Sequence, residues 1–169
     1  MKSKAIMSSC KRHRYRLSRV WDKKKGKVLF IMLNPSTADE NEDDLTTRRC
    51  INFAKRWGYG GIMIGNIYSF RAKRPKDLQN WLTQPEYNGL WVHREANIAH
   101  VRMMSEKASI VVCAWGCNYP GIPSWIDEMG VDLHYLELCK DNVTPKHPLG
   151  NLSKDLKPKY IEWYKGITN

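Results

Sequence analysis

One stretch constrains the fold more than any other: residues 27–50, KVLFIMLNPSTADENEDDLTTRRC. Residues 27–33 form a nearly continuous apolar run, which is typical of a strand covered on both faces, as in a parallel sheet. A proline follows Asn34, and because proline lacks an N–H and restricts the preceding residue, the chain must turn there. Residues 43–47 then supply candidate N-caps for a helix that runs to about Trp57. The stretch therefore predicts a strand, a polar loop and a helix.

The remaining chain repeats this alternation of apolar runs and amphipathic segments. Further buried strands are predicted at residues 62–67, 109–114 and 131–138, with helices at 88–107 and 124–129 and a short helix or loop at 75–84. A half-exposed edge strand is predicted at residues 13–21, and a short helix holding Ile161, Trp163 and Tyr164 near the end. The order predicts a three-layer α/β/α fold with a mostly parallel, four-stranded central sheet.

Length and charge limit the organisation and the partners. The 169 residues predict one domain over residues 1–169, with residues 1–14 as a basic arm or an edge strand and residues 151–169 as a basic, aromatic tail. Lys and Arg number 28 against 17 Asp and Glu, a formal net charge of +11. Such a field favours a polyanionic partner but carries no information on sequence preference. We expect a monomer that binds DNA, single-stranded DNA or a nucleotide.

The spacing of the cysteines and the absence of two nucleotide-binding motifs indicate which cellular compartment and which cofactors to expect. The five cysteines are scattered, with no C-x-x-C pair, which predicts reduced thiols in a cytoplasmic protein. Cys113 and Cys117 are spaced closely enough to touch, but no further ligands at zinc spacing accompany them. There is no G-x-G-x-x-G and no P-loop motif, so we expect no cofactor and no bound metal. No segment has the apolar length of a signal peptide core or a membrane span.

Polar side chains close three of the predicted strand ends. They belong to Asn34-Pro35-Ser36, to Asn66, and to His147-Pro148-Leu149. Because ligands of open α/β sheets bind outside the carboxyl ends of the strands, these loops are candidates to line one crevice. Each has a structural alternative: Asn34 as a turn former before proline, Asn66 as a partner of loop backbone, and His147 as an ordinary surface histidine.

The ordered set of three loops resembles the uracil-DNA glycosylase superfamily. There, a first loop of the G-[EQI]-[ADN]-P type follows the first core strand, an asparagine closes a later strand, and an H-P-S loop lies near the C-terminus. More closely, the motifs LNPSTAD, WGYG, GNIYSFRA, AWG and HPL resemble a bacterial and phage family that carries the LNPSTAD signature, a domain of unknown function. That closer resemblance covers about residues 15–150. The superfamily resemblance implies a uracil-DNA glycosylase-like fold and an enzyme that flips out a modified or damaged pyrimidine and hydrolyses its N-glycosidic bond.

The resemblance also implies roles for individual residues. Glycosidic cleavage builds positive charge on the sugar and negative charge on the leaving base, so a catalyst must hold a water and stabilise an anion. Asn34, or a carboxylate of the adjacent loop, would position the water; His147 would donate to the departing base, and Asn66 would read its Watson–Crick edge. The catalytic carboxylates would be Asp39, Asp43 and Asp44, while Pro35, Ser36, Tyr68 and Phe70 would contact the base, the last two by stacking. Leu149 or Leu152 would enter the vacated stack as a wedge. The residues implied to contact phosphates are Arg71, Lys73, Arg74, Lys154, Lys157 and Lys159.

The sequence departs from the superfamily pattern at two of these loops. Leu149 follows His147-Pro148 where the superfamily usually has serine, which removes a hydroxyl that often contacts DNA phosphate. Asn34 stands where the most active members have aspartate, which predicts weaker activation of water.

Two other functions remain open at this point. The first is a non-catalytic module of the same fold that binds nucleic acid or a nucleotide, which is consistent with Asn34 in place of aspartate. The second is a metal-dependent nucleotide or phosphodiester hydrolase that holds magnesium with the carboxylates of the first loop, namely Asp39, Glu40, Glu42, Asp43 and Asp44.

Overall fold

The computed structural model of the protein describes residues 1–84 and 91–162. These residues form an α/β fold with one seven-stranded sheet and four helices. The strands are β1 (Lys2–Met7), β2 (Arg14–Val20), β3 (Lys27–Met32), β4 (Gly61–Asn66), β5 (Ile110–Cys113), β6 (Leu133–Tyr135) and β7 (Lys159–Tyr160). The helices are α1 (Leu45–Arg56), α2 (Pro75–Leu82), α3 (Trp91–Ser105) and α4 (Ser124–Asp127).

The sheet is larger and more mixed than the predicted one. Its strand order is β1-β2-β4-β3-β5-β6-β7. The adjacent strands β4, β3, β5 and β6 run parallel, whereas β1, β2 and β7 pair antiparallel. The prediction of a four-stranded sheet was therefore wrong in extent, because an N-terminal hairpin and a C-terminal strand continue the sheet beyond its parallel strands. Both additions pair backbone groups that would otherwise form open edges.

The N-terminal hairpin decides between two expectations and corrects a third. Residues 2–7 form strand β1 at the edge of the sheet, which is the second of the two predicted alternatives for this segment. Strand β2 was predicted at the edge, but it lies between β1 and β4. The pairing of β1 with β2 shifts register, since Ile6 pairs with Arg16 but Met7 pairs with Arg14. Arg14 donates to the carbonyl oxygen of Ala38 in the first loop at 2.7 Å, whereas the Tyr15 hydroxyl hydrogen-bonds His93 of α3.

Helix α1 covers one face of the sheet as the sequence predicts. Asp44 is its N-cap, and a carboxylate oxygen of Asp44 accepts from the Thr47 amide at 2.8 Å. The buried face of α1 includes Cys50, Phe53 and Ala54, and it shares a core with Phe30 of β3. The helix therefore begins at the carboxyl end of the parallel strands, next to the loop that follows β3.

Helix α3 covers the other face and approaches the sheet closely at Gly65. A side chain at Gly65 would place its Cβ 2.9 Å from Val101 and 3.0 Å from Met104, both on α3. Glycine in β4 therefore permits the close packing of helix on strand. Val101 and Met104 are fully buried against Ile31 and other residues of this second core. Residues 88–90 of the predicted helix lie outside the described residues.

The C-terminal segment contributes a short strand, and Ile161, which was predicted to lie in a short helix, follows that strand without helical structure. Residues 159–160 form β7 against β6, and Ile161 is buried in the core beside α3. Trp163 and Tyr164 of the predicted helix lie outside the described residues. In the part of the chain that the structure describes, no helix is long and apolar enough to cross a membrane.

The thiols were predicted to be reduced, and the structure corrects this for one pair. Cys117 and Cys139 form a disulfide with a Cα to Cα distance of 5.7 Å. Cys113, the expected neighbour of Cys117, is instead a free buried thiol. The strand alternation explains the difference, because Cys113 points into the core beside α3 while Cys117 lies beyond the strand end.

Candidate functional site

An open cavity lies at the carboxyl ends of the parallel strands, where the sequence predicts the site. Its volume is about 590 Å³, and we call it the polar cavity. Its walls come from the loops after β3, after β5 and around residue 147, and they include Asn34, Trp115, Asn118, Lys146, His147 and Leu149. The structure thus brings Asn34 and His147, which are far apart in sequence, to one cavity.

Asn34 is held in a fixed orientation within this wall. Its side-chain Nδ2 donates to the carbonyl oxygens of Ala72 at 2.9 Å and Pro35 at 3.1 Å. Both contacts require the nitrogen, so the amide cannot be flipped, and Oδ1 is the atom left for other partners. Nothing in the described part of the chain donates to that oxygen. Asn34 therefore holds its loop together through Nδ2, as the turn-former alternative predicts, while its residue also lines the cavity.

His147 is half-buried, and its ring accepts a hydrogen bond from the backbone of its own loop. The Leu149 amide donates to His147 Nδ1 at 3.2 Å, which places the proton of the neutral ring on Nε2. Burial lowers the pKa of His147, and the negative charge of Asp44 opposes that shift in part. The ring is therefore neutral at pH 7 and offers a single N–H donor.

Asn66 lies at the end of β4 beside Met32 of β3, but it is not a wall of the polar cavity. Its residue exposure is 1%, and its Nδ2 has no hydrogen-bond partner. The buried Arg14 has an Nε without a partner as well. Buried donors without a hydrogen-bond acceptor are uncommon, and Asn66 Nδ2 and Arg14 Nε both lack one.

The acidic loop is engaged in holding the structure together. Asp39 accepts from the amides of Asn41 at 2.8 Å and Glu42 at 3.1 Å, and these hydrogen bonds lower the pKa of Asp39. Asp43 pairs with the fully buried Arg19 at 2.8 Å, and Asp44 caps α1. Across the residues with described positions, no three His, Cys, Asp or Glu side chains are grouped to hold a metal.

The candidate phosphate contacts are spread over distant parts of the surface. Arg71 donates to the carbonyl oxygens of Thr37 at 3.1 Å and Ser36 at 3.4 Å, so it braces the first loop. Lys73 is exposed, and the exposed Arg74 forms a bidentate pair with Asp77. Residues 154–157 pack near the C-terminal end of α1, where Leu156 accepts from a tryptophan indole, and Lys159 lies in edge strand β7.

The candidate base contacts also divide between different surroundings. Leu149 is 49% exposed at the polar cavity, whereas Leu152 is buried in the core beside α1. Of the two leucines predicted as a wedge, Leu149 is therefore the one on the surface. Pro35 is buried, and its carbonyl accepts from the Ala72 amide at 2.9 Å. Phe70 stacks on Trp81 with ring centroids 4.7 Å apart, away from the polar cavity.

A second cavity at the same end of the sheet was not predicted as a site, although it is lined by Tyr68, which was predicted to stack on the base and which does not line the polar cavity. Its volume is about 240 Å³, and we call it the aromatic cavity. Its walls include Tyr68, Trp81, His93, Asn97, Tyr119 and Trp125. The sequence offered the aromatic residues but no reason to group them, because they come from four separate segments. The amphipathic pattern of α3 placed His93 and Asn97 on one face, which was the available signal.

The comparison with protein families gives an assignment for most of the chain. Residues 14–149 match the family DUF1643, which is described as a protein of unknown function. The chain belongs to this family. No curated protein and no solved structure matches the chain. The DUF1643 region contains Asn34, Asn66 and His147, and it contains the residues named above for the aromatic cavity.

Proposed function

We propose that this DUF1643 protein recognises a modified or damaged pyrimidine base of DNA in the polar cavity and hydrolyses its N-glycosidic bond, on a fold of the uracil-DNA glycosylase type. The observation that carries the proposal is the convergence of Asn34 and His147 on one cavity. At about 590 Å³, the cavity has room for a base and part of its sugar.

The two side chains have complementary hydrogen-bonding roles. Asn34 Oδ1 is an acceptor, and it would hold the attacking water. Nε2–H of neutral His147 is a donor, and it would stabilise the carbonyl oxygen of the departing base as negative charge develops. Because the Leu149 amide already donates to Nδ1, protonation of the ring at low pH breaks that contact. The neutral imidazole is therefore the form that the loop supports.

Charge supports DNA as the class of substrate. The net charge of +11 attracts polyanions, and Lys146 lines the polar cavity itself. Leu149, exposed beside His147, is placed to enter a base stack from which a base has been extruded.

The direct test measures base release from oligonucleotides. Oligonucleotides containing uracil, a hydroxymethylated pyrimidine or a glycosylated pyrimidine are incubated with the protein, and abasic sites are detected by alkaline strand cleavage. We expect His147→Ala and Asn34→Ala each to lower the rate by about 100-fold, since each removes one preorganised contact to the reacting groups. His134→Ala, on β6, and Asn41→Ala, in the exposed part of the first loop, are the matched controls. Unchanged rates in both His147→Ala and Asn34→Ala would refute the proposed mechanism.

A second candidate, a module that binds a base without cleaving it, is favoured by one specific observation. Asp39, Asp43 and Asp44 each hold the protein together, so none of them is placed to activate a water. The same assay separates the candidates: retained binding of a modified oligonucleotide, with no abasic product from any substrate, would identify the binding module. The acidic-loop hydrolase is not favoured, because three of its five proposed ligands, Asp39, Asp43 and Asp44, are engaged in the turn, the ion pair and the helix cap. Insensitivity of base release to EDTA is the expected result.

A further inference from the structure

The aromatic cavity differs from the polar cavity in having a buried acceptor without a partner. Asn97 of α3 is 2% exposed and lines this cavity. Its Nδ2 donates to the carbonyl oxygens of Asn66 at 2.8 Å and Ile67 at 3.2 Å, which fixes the orientation of the amide. Its Oδ1 is buried and accepts no hydrogen bond. A buried acceptor in this state is costly, so it marks a place for a donor from a ligand.

The walls of the cavity specify a planar ring. Tyr68 and Tyr119 meet edge to face with centroids 6.0 Å apart, and Trp81 and Trp125 contribute two more aromatic surfaces. Aromatic side chains around a small cavity are the usual means of binding a flat heterocycle by stacking. At about 240 Å³, the cavity accommodates a single nucleobase but not a large cofactor.

A basic groove continues from the cavity across Trp81, which lines both. The groove also contains Arg12, Phe70 and Lys73. Arg12 lies over the Phe70 ring at 5.6 Å from its centroid, and Lys73 is exposed. Neither cation is paired with a carboxylate in the described structure, so both are placed to meet a phosphate. Arg74, in the same groove, is already engaged by Asp77.

We propose that the aromatic cavity and the basic groove form a second site, which binds a nucleotide whose base carries an exocyclic amino group. The amino N–H donates to Asn97 Oδ1, the ring stacks among the aromatic side chains, and the phosphate lies against Arg12 and Lys73. The site is separate from the polar cavity, and it requires no chemistry there. Nucleotide binding at this second site does not depend on whether the protein cleaves a glycosidic bond.

The unmodified protein provides the sharpest test, because it needs no variant that might fail to fold. Binding of adenosine 5′-monophosphate is measured by calorimetry beside its N6,N6-dimethyl analogue, which stacks as well but has no amino N–H. We expect the dimethyl analogue to bind at least about tenfold more weakly, since it leaves Asn97 Oδ1 buried without a donor. Shifts of the indole N–H signals of Trp81 and Trp125 on titration locate the ligand. Equal affinity for the two nucleotides, or no binding of either, would overturn the proposal.

Variants then separate this site from the polar cavity. The double change Arg12→Ala and Lys73→Ala should weaken binding of the monophosphate by about tenfold and leave binding of adenosine unchanged, since the nucleoside has no phosphate. Lys154→Ala with Lys157→Ala removes the same charge from a distant surface and should have no specific effect. His147→Ala should bind the monophosphate with wild-type affinity. Loss of binding in His147→Ala would show that the nucleotide occupies the polar cavity instead.

Discussion

The two cavities at the carboxyl end of the sheet are built by different means. The polar cavity is bounded by loops after β3 and β5 and by the loop at residue 147, and it presents single polar atoms of Asn34 and His147. The aromatic cavity is bounded by helices α2, α3 and α4 together with the segment after β4, and it presents ring faces and one buried amide oxygen. Loops can adjust individual groups for chemistry, whereas packed helices provide a preformed space.

Their histidines show the same contrast. His147 contacts its own loop through Leu149 and leaves Nε2 to the cavity. His13, behind the aromatic cavity, is buried, hydrogen-bonds the Ser69 hydroxyl at 2.9 Å and stacks on His93 at 3.9 Å between centroids. The His147 ring lines the polar cavity, whereas the His13 ring packs behind the aromatic cavity against Ser69 and His93, which line it.

The largest expected effect is a reciprocal separation of the two functions. His147→Ala should lower base release by about 100-fold and leave nucleotide binding unchanged. Trp125→Ala should weaken nucleotide binding by about tenfold or more, since it removes one stacking surface. Base release and calorimetric titration on both variants check this. If each variant impairs both activities equally, the two cavities form one site and the comparison fails.

The next effect concerns the disulfide beside the polar cavity. Cys117 lines that cavity, and its bond to Cys139 closes a loop of 22 residues. Replacing both cysteines with serine should lower the free energy of unfolding by roughly 3 kcal/mol, because the unfolded chain regains the entropy of the open loop. Urea denaturation without reductant measures the change. Cys10→Ser is the matched control, since Cys10 is an exposed free thiol and its replacement should alter stability by less than about 0.5 kcal/mol.

A third effect, on pH dependence, arises at His13, which packs behind the aromatic cavity against His93. Burial lowers the pKa of His13 from 6.5 to about 4, helped by the charges of His93 and Arg12. As the pH falls, the unfolded chain therefore takes up this proton before the folded protein does. The resulting stability is fully present above about pH 6.5 and is lost as the pH falls towards 4, with a loss of about 2 kcal/mol.

NMR titration of the His13 ring checks the pKa, and urea denaturation at pH 7 and pH 4.5 checks the stability. The pH dependence should be shallower in His13→Asn, which has no ring to titrate. A His13 signal that titrates near pH 6.5 in the folded protein would contradict the prediction.

The smallest expected effect links the acidic loop to His147. Asp44→Ala removes the N-cap of α1 and should cost about 1 kcal/mol of stability. It also removes the negative charge that opposes the lowered pKa of His147, so that pKa should fall further. Urea denaturation and NMR titration of His147 measure the two changes. Glu40→Ala, an exposed residue of the same loop, should change neither.

The sequence predicted well where a segment carries its own signal. The apolar run of β3, the break at proline and the cap at Asp44 are local features, and the structure confirms the strand, the loop and helix α1 in order. The buried runs of β4 and β5 were likewise recognised. The edges of the sheet were not recognised. Strand β2 was predicted as a half-exposed edge strand, but its Arg19 is buried, and that burial depends on an ion pair with Asp43 from another segment.

The candidate site follows the same division. The residue types at the strand ends, and their order along the chain, determined that Asn34, Asn66 and His147 deserved testing. Tertiary structure decided which atoms remain available: it gave Asn34 Nδ2 to loop carbonyls, buried Asn66 beneath the surface, and engaged the acidic loop. Tertiary structure also assembled the aromatic cavity from four segments. The physical reason is that periodicity and capping act between neighbours in sequence, whereas hydrogen-bond satisfaction and cavity walls depend on groups that meet only after the chain has folded.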